Sequence, residues 1–139
     1  MRHFLSGFIT AVVAIAISAF AVSASEGVPQ VRHDSTVKTG QRERIGHSWH
    51  INPDCSVTGV PTVRVIDPPL HGKITLARVR EVITDAKGRT IKCNSLKLPV
   101  IAYFYQSTAG YVGSDRFVAR VSFGNGDVTD RIQTIRVQK

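Results

Sequence analysis

The chain has 139 residues, with 42% hydrophobic and 20% charged side chains, a formal net charge of +8 at pH 7 and only two cysteines. Two cysteines exclude a zinc site or a thiol-exchange centre built on paired cysteine motifs. The length fits one ordinary domain behind an export signal.

The amino terminus is typical of a secretory signal peptide. Arg2 and His3 form a short basic head, and residues 8–22 are almost entirely apolar. Small residues permit cleavage after Ala24, which we favour, or after Ala21. An uncleaved anchor is the alternative, but the apolar stretch is shorter than the about 20 residues that span a bilayer.

Cleavage would remove residues 1–24 and leave residues 25–139 as a single domain without a transmembrane anchor. We expect this domain in the periplasm or outside the cell. Because such compartments are oxidising, Cys55 and Cys93 are predicted to form a disulfide, with free or intermolecular thiols as the alternative. By restricting the unfolded chain, such a bridge contributes about 4 kcal/mol.

Basic residues are spread along the whole domain and do not form a tail. This distribution suits attraction to an anionic lipid or glycan surface, or to a protein of the cell envelope. Simple solubility is the alternative explanation of the charge. No nucleic-acid partner is expected, since no recognition helix or aromatic stacking platform is evident.

The domain is predicted to be all β. Short runs of β-branched and aromatic residues are cut by glycine, proline and asparagine, and no long segment has a helical apolar period. Turns are indicated at residues 67–72, 85–88 and 124–127. The candidate strands are 31–38, 43–51, 62–66, 73–79, 82–84, 90–93, 100–105, 116–123 and 128–137.

The apolar pattern within these strands predicts two packed sheets. Residues 116–123 alternate apolar and polar side chains, whereas residues 100–105 are apolar on both faces, as expected for a central strand covered on two sides. The apolar phase slips after Leu76, which indicates a β-bulge or a strand end, and slips again within the last strand. A short helix over residues 77–83 is the alternative at the first slip.

Glycines, aromatics and one acidic residue recur at fixed spacing between two of these strands. They resemble the Tyr-x-Pro-x-x-Gly-aromatic-x-Gly-x-Asp-x-Phe pattern of bacterial immunoglobulin-like and cadherin-like domains of secreted and surface proteins, with Ser107 in place of the usual proline. The partial match covers residues 69–126 and implies an immunoglobulin-like two-sheet β-sandwich that serves as a non-enzymatic module. The matching residues are Tyr105, Gly110, Tyr111, Gly113, Asp115 and Phe117.

The motif also has a physical interpretation as a tight corner. Gly110 and Gly113 permit backbone conformations that a Cβ atom would strain, and Asp115 is placed to accept nearby backbone N–H groups. Tyr111 and Phe117 are expected to anchor the corner in the core.

No group of residues predicts catalysis, so we expect a non-enzymatic protein with no cofactor and no metal. His47, His50 and Asp54 come nearest to a catalytic or metal-binding cluster. His47 and His50 are three apart on a predicted strand, however, so their side chains are expected to point to opposite faces. No nucleophile motif and no paired carboxylates are evident. A small hydrolase or metal-dependent enzyme is the least favoured alternative.

Arginines give the best functional lead. Guanidinium groups bind anions through several donors, and five of them are predicted to share a basic face. We therefore predict an exported binding module that contacts an anionic or protein partner of the envelope, with a purely structural accessory protein as the alternative. The candidate anion-binding residues are Arg64, Arg78, Arg80, Arg116 and Arg120.

Overall fold

The computed structural model describes residues 27–139, so the predicted signal peptide lies outside the described residues. Within this range the chain forms seven strands and one short 3-10 helix, and none of its helices is long and apolar enough to cross a membrane. The strands are β1 Gln30–Lys38, β2 Arg42–Ser48, β3 Thr62–Asp67, β4 Gly72–Val82, β5 Lys97–Ser107, β6 Gly113–Ser122 and β7 Val128–Gln138, and the helix is Gly88–Cys93.

The strands form two sheets that pack face to face as a β-sandwich. One sheet has four strands in the order β1-β7-β6-β3, and the other has three in the order β2-β5-β4. β1 runs parallel to β7, whereas the other neighbouring strands pair antiparallel. The prediction of an all-β, two-sheet fold is confirmed.

The main core lies between the two sheets. Tyr103 and Tyr105 of β5 are fully buried there, together with Phe117 of β6 and Ile135 of β7. Burying each of these large side chains contributes about 2 kcal/mol. The alternation that the sequence of β6 displays is therefore the alternation between this core and the outer face.

A second, smaller core lies on the other face of the three-stranded sheet. Leu98 and Val100 of β5 pack there against Ile51, Ile83 and Cys93, which come from the two loop segments that cover the sheet. Side chains an odd number of positions apart on a strand point to opposite faces, so β5 is covered on both sides. This explains why its sequence is apolar on both faces.

One continuous strand, β4, stands where two strands were predicted at residues 73–79 and 82–84. Its register against β5 is unbroken over its whole length. The apolar phase changes because Ile74 and Leu76 pack against the main core, whereas Val79 packs against the second core on the opposite face. The prediction of a bulge, a strand end or a helix is therefore wrong. The backbone of β4 stays extended and in register, and only the face that is covered by a core changes along the strand.

β7 is also continuous where an apolar slip was noted. Its register against both neighbours has no shift. Ile132 is buried on the outer face, where it lies opposite Val118, while Ile135 is buried in the main core. Both faces of this strand are covered at different points along its length.

Two predicted strand segments adopt other structure. Residues 90–93 belong to the 3-10 helix, which begins at Gly88 with a φ of +59° and turns Cys93 into the second core. β2 ends at Ser48 instead of Ile51, because the chain leaves the sheet there and Ile51 packs into the second core.

Candidate functional site

The predicted disulfide is confirmed. Cys55 and Cys93 are bonded, with their Cα atoms 5.4 Å apart. The bond joins the loop after β2 to the 3-10 helix, and Cys93 is fully buried in the second core. It therefore fastens the two covering segments over the start of β5, at what we call the disulfide end of the sandwich.

The motif between β5 and β6 lies at the opposite end, which we call the corner end. Asp115 is 5% exposed and accepts hydrogen bonds from the backbone N–H groups of Leu70, His71 and Arg116 at 2.9–3.0 Å and from the Tyr105 hydroxyl at 2.8 Å. Burial opposes ionisation of this carboxyl, but the four donors hold its pKa below the ordinary value. Burial, and then the same carboxylate, raises the pKa of Tyr105.

The corner glycines have the conformations for which glycine is suited. Gly110 and Gly113 have φ values of +83° and +145°. A Cβ atom on Gly113 would lie 2.9 Å from the Tyr111 hydroxyl. The Tyr111 ring stacks on the His71 ring, with 4.1 Å between the ring centroids. The corner is thus a closed arrangement in which the polar groups of Asp115 are satisfied internally.

The five arginines predicted to share a basic face are divided between the two sheets. Arg64 lies directly opposite Arg120, and Arg116 has the same side-chain direction as Arg120, so these three share the outer face of the four-stranded sheet. Arg78 and Arg80 lie on β4 in the other sheet, where the Arg80 guanidinium donates to the Lys97 carbonyl at 3.1 Å. The structure does not bring all five together.

Two further arginines join the three on the four-stranded sheet. Arg32 lies beside Ile132, and Arg136 lies opposite Ser114, so both point to the same outer face. Their place on this face could not be predicted from the sequence, because β1 and β7 become neighbours only through pairing of the two chain ends. We call this outer face the arginine face, defined by Arg32, Arg64, Arg116, Arg120 and Arg136.

Carboxylates neutralise two members of the arginine face. Arg120 holds Asp130 with two hydrogen bonds of 2.8 and 2.9 Å, which keep the pKa of Asp130 below its ordinary value although burial opposes this. Arg116 pairs with the exposed Asp67 at 2.7 Å. Within residues 27–139, no carboxylate forms an ion pair with the other three, which are Arg32, Arg64 and Arg136.

His47 lies between two carboxylates on the outer side of the three-stranded sheet. Its Nδ1 is 3.0 Å from Glu81, which also pairs with Arg44, and its Nε2 is 3.2 Å from Asp85. The Trp49 indole donates to Asp85 at 3.1 Å. Burial opposes ionisation of Asp85, but its hydrogen bonds with His47 and Trp49 hold its pKa below the ordinary value.

The three residues considered for catalysis do not converge. His50 lies beside the Phe123 ring, with 5.8 Å between the ring centroids, and Asp54 accepts hydrogen bonds from Ser56 in its own turn. Among the described residues, no three histidine, cysteine or acidic side chains come together as metal ligands.

Comparisons with known proteins give little guidance. No family model and no curated protein matches the chain. Among solved structures, the solution structure of amebosin is similar at 17% identity with a TM-score of 0.43, over 81% of this chain and 99% of that chain. A likeness at this level supports no conclusion about fold or function.

Proposed function

We propose that the chain is an exported, non-enzymatic binding domain with an immunoglobulin-like fold, which contacts an anionic component of the cell envelope through the arginine face. If β2 to β7 are matched in chain order to strands B to G of the immunoglobulin arrangement, the strand order β2-β5-β4 corresponds to B-E-D and the order β3-β6-β7 corresponds to C-F-G. The first strand here joins the β7 edge. The disulfide supports an oxidising location, either periplasmic or secreted.

The arginine face carries the functional part of this proposal. Arg64 and Arg120 lie directly opposite each other, and like charges at such positions repel. Asp130 neutralises only Arg120, which leaves the charge of Arg64 available to an outside anion. Arginine suits phosphate and carboxylate groups because its fork of donors matches their geometry.

The test is co-sedimentation of the exported chain with vesicles of phosphatidylglycerol and phosphatidylcholine, with pure phosphatidylcholine vesicles as the neutral reference. The double variant Arg64→Gln/Arg136→Gln should bind the anionic vesicles about thirty-fold more weakly, since each of the two cations near such a surface contributes about 1 kcal/mol. An acidic polysaccharide coupled to beads provides the parallel test for a glycan partner.

The matched control is Arg78→Gln/Arg80→Gln, which removes the same charge from the other sheet. This variant should bind like the natural chain. Equal weakening in both double variants would mean that net charge alone drives binding, and the arginine face would then have no special role.

A purely structural accessory protein is the second candidate function. The ion pairs of Arg116 and Arg120 favour it, since they neutralise two members of the face from within the chain. It predicts no measurable binding to either the vesicles or the polysaccharide by a fully folded protein.

A further inference from the structure

Arg131 of β7 points inward between the two sheets at the disulfide end. It has the same side-chain direction as Ile135 and Val137, which are buried in the main core. Its guanidinium donates to the His47 carbonyl at 2.8 Å and to the Gln133 amide oxygen at 3.3 Å. It also lies over the Tyr103 ring at 5.0 Å.

None of these partners carries a negative charge. Within residues 27–139, no aspartate or glutamate pairs with Arg131. A guanidinium has five N–H donors, and two are engaged by these protein acceptors. A partly buried cation that forms no ion pair among the described residues costs free energy. Burial lowers the pKa of Arg131, although the electrostatic influence of Tyr103 and Asp85 opposes this shift.

The fold provides space around this guanidinium. Gly46 lies at the β-bulge of β2, and a Cβ atom there would be 2.6 Å from Arg131 Nη2. Beside the guanidinium is an open cavity of about 230 Å³. The cavity is lined by four apolar side chains and four polar ones, which are Val31, Trp49, Val121 and Phe123, and His47, Ser48, Thr129 and Arg131.

We propose that this cavity binds a small organic carboxylate, with the carboxylate on Arg131 and a compact apolar body against Trp49, Val121 and Phe123. An arginine that meets a carboxylate in partly dry surroundings forms strong, charge-assisted hydrogen bonds. A cavity of about 150 Å³ holds benzene, so this volume fits one ring with its acid group. Inorganic phosphate would leave the apolar walls without contact.

This site is separate from the arginine face. Arg131 has its side chain on the inner side of the four-stranded sheet, whereas the arginine face is the outer side of the same sheet. Either proposal can fail while the other stands.

Trp49 provides a direct reporter, because it is the only tryptophan of the chain and lines the cavity. Its fluorescence should change saturably as cyclohexanecarboxylate, which does not absorb in the tryptophan region, is added to the exported chain. The neutral analogue cyclohexanemethanol and inorganic phosphate should each bind at least about ten-fold more weakly, because the alcohol lacks the carboxylate and phosphate lacks the apolar ring. An equal response to the alcohol, or no saturable response to the carboxylate, would overturn the proposal.

Variants locate the interaction. Arg131→Met should weaken binding of cyclohexanecarboxylate by at least about ten-fold, whereas Arg136→Met, on the outer side of the same strand, should not. Phe123→Ala removes an apolar wall without touching the hydrogen bonds of Arg131, so it tests the site even if the arginine variant fails to fold. Unchanged binding in Phe123→Ala, or equal weakening by Arg136→Met, would overturn the assignment.

Discussion

Asp115 is buried at one end of the sandwich and Arg131 is partly buried at the other, and the two charged side chains have different partners. Asp115 accepts four hydrogen bonds from the corner that surrounds it. Arg131 has one carbonyl, one amide oxygen and one aromatic ring as partners. A buried charge whose hydrogen-bond partners all belong to the chain stabilises the fold, whereas a partly buried charge beside an open cavity is available for binding.

Loss of the disulfide should lower the stability of the chain more than any other change, and the destabilisation should be concentrated at the end of the sandwich that contains Arg131. Replacing Cys55 and Cys93 with serine should lower the free energy of unfolding by about 4 kcal/mol, because the unfolded chain gains conformational freedom. Urea unfolding checks the size of the loss. Hydrogen exchange should show faster exchange at the start of β5 than at the corner.

Reduction of the natural chain supplies the control for this variant. Reduced natural chain and the double serine variant should unfold at the same urea concentration. Equal loss of protection at both ends would mean that the bridge stabilises the whole sandwich and does not distinguish its ends.

Asp115→Asn should have the next largest effect. The amide cannot accept all four hydrogen bonds, and buried N–H groups left without partners cost about 3 kcal/mol in total. Urea unfolding measures this loss. Asp67→Asn, which breaks an exposed pair with Arg116, is the matched control and should cost less than about 1 kcal/mol. Similar losses in the two variants would remove the special role of the corner.

The same carboxylate predicts a smaller, pH-dependent effect. Because the folded pKa of Asp115 is lowered, its stabilising contribution is present above the unfolded pKa and is lost as pH falls through the folded pKa. Unfolding free energy measured from pH 6 down to about pH 2 should therefore fall more steeply for the natural chain than for Asp115→Asn. Parallel curves would assign the acid sensitivity to the other carboxyls with lowered pKa values, such as Asp85 and Asp130.

Much of the fold could be predicted because its signals are local. Glycine, proline and asparagine mark turns, alternation marks β6, and two cysteines leave one pairing. The continuity of β4 could not be predicted, since an apolar pattern reports that a side chain is covered but not by which neighbour. Ile74 and Val79 are covered on opposite faces by different parts of the chain.

The candidate sites depend on non-local pairing to a greater degree. Arg32 and Arg136 reach the arginine face only because β1 pairs with β7, far away in sequence. The inward direction of Arg131 did have a local signal, because it is separated from Ile135 and Val137 by even numbers of residues on one strand. What the sequence could not indicate is that no carboxylate of the described residues would lie opposite it.

The most direct test of this account is the change in unfolding free energy for Arg131→Met, measured without added ligand and beside Asp115→Asn in the same buffer. Arg131→Met should stay within about 1 kcal/mol of the natural chain, because methionine keeps an apolar stem and removes a partly buried charge that forms no ion pair among the described residues. Asp115→Asn should lose about 3 kcal/mol. Losses of equal size would mean that Arg131 stabilises the fold in the way that Asp115 does, and that the two ends of the sandwich do not differ.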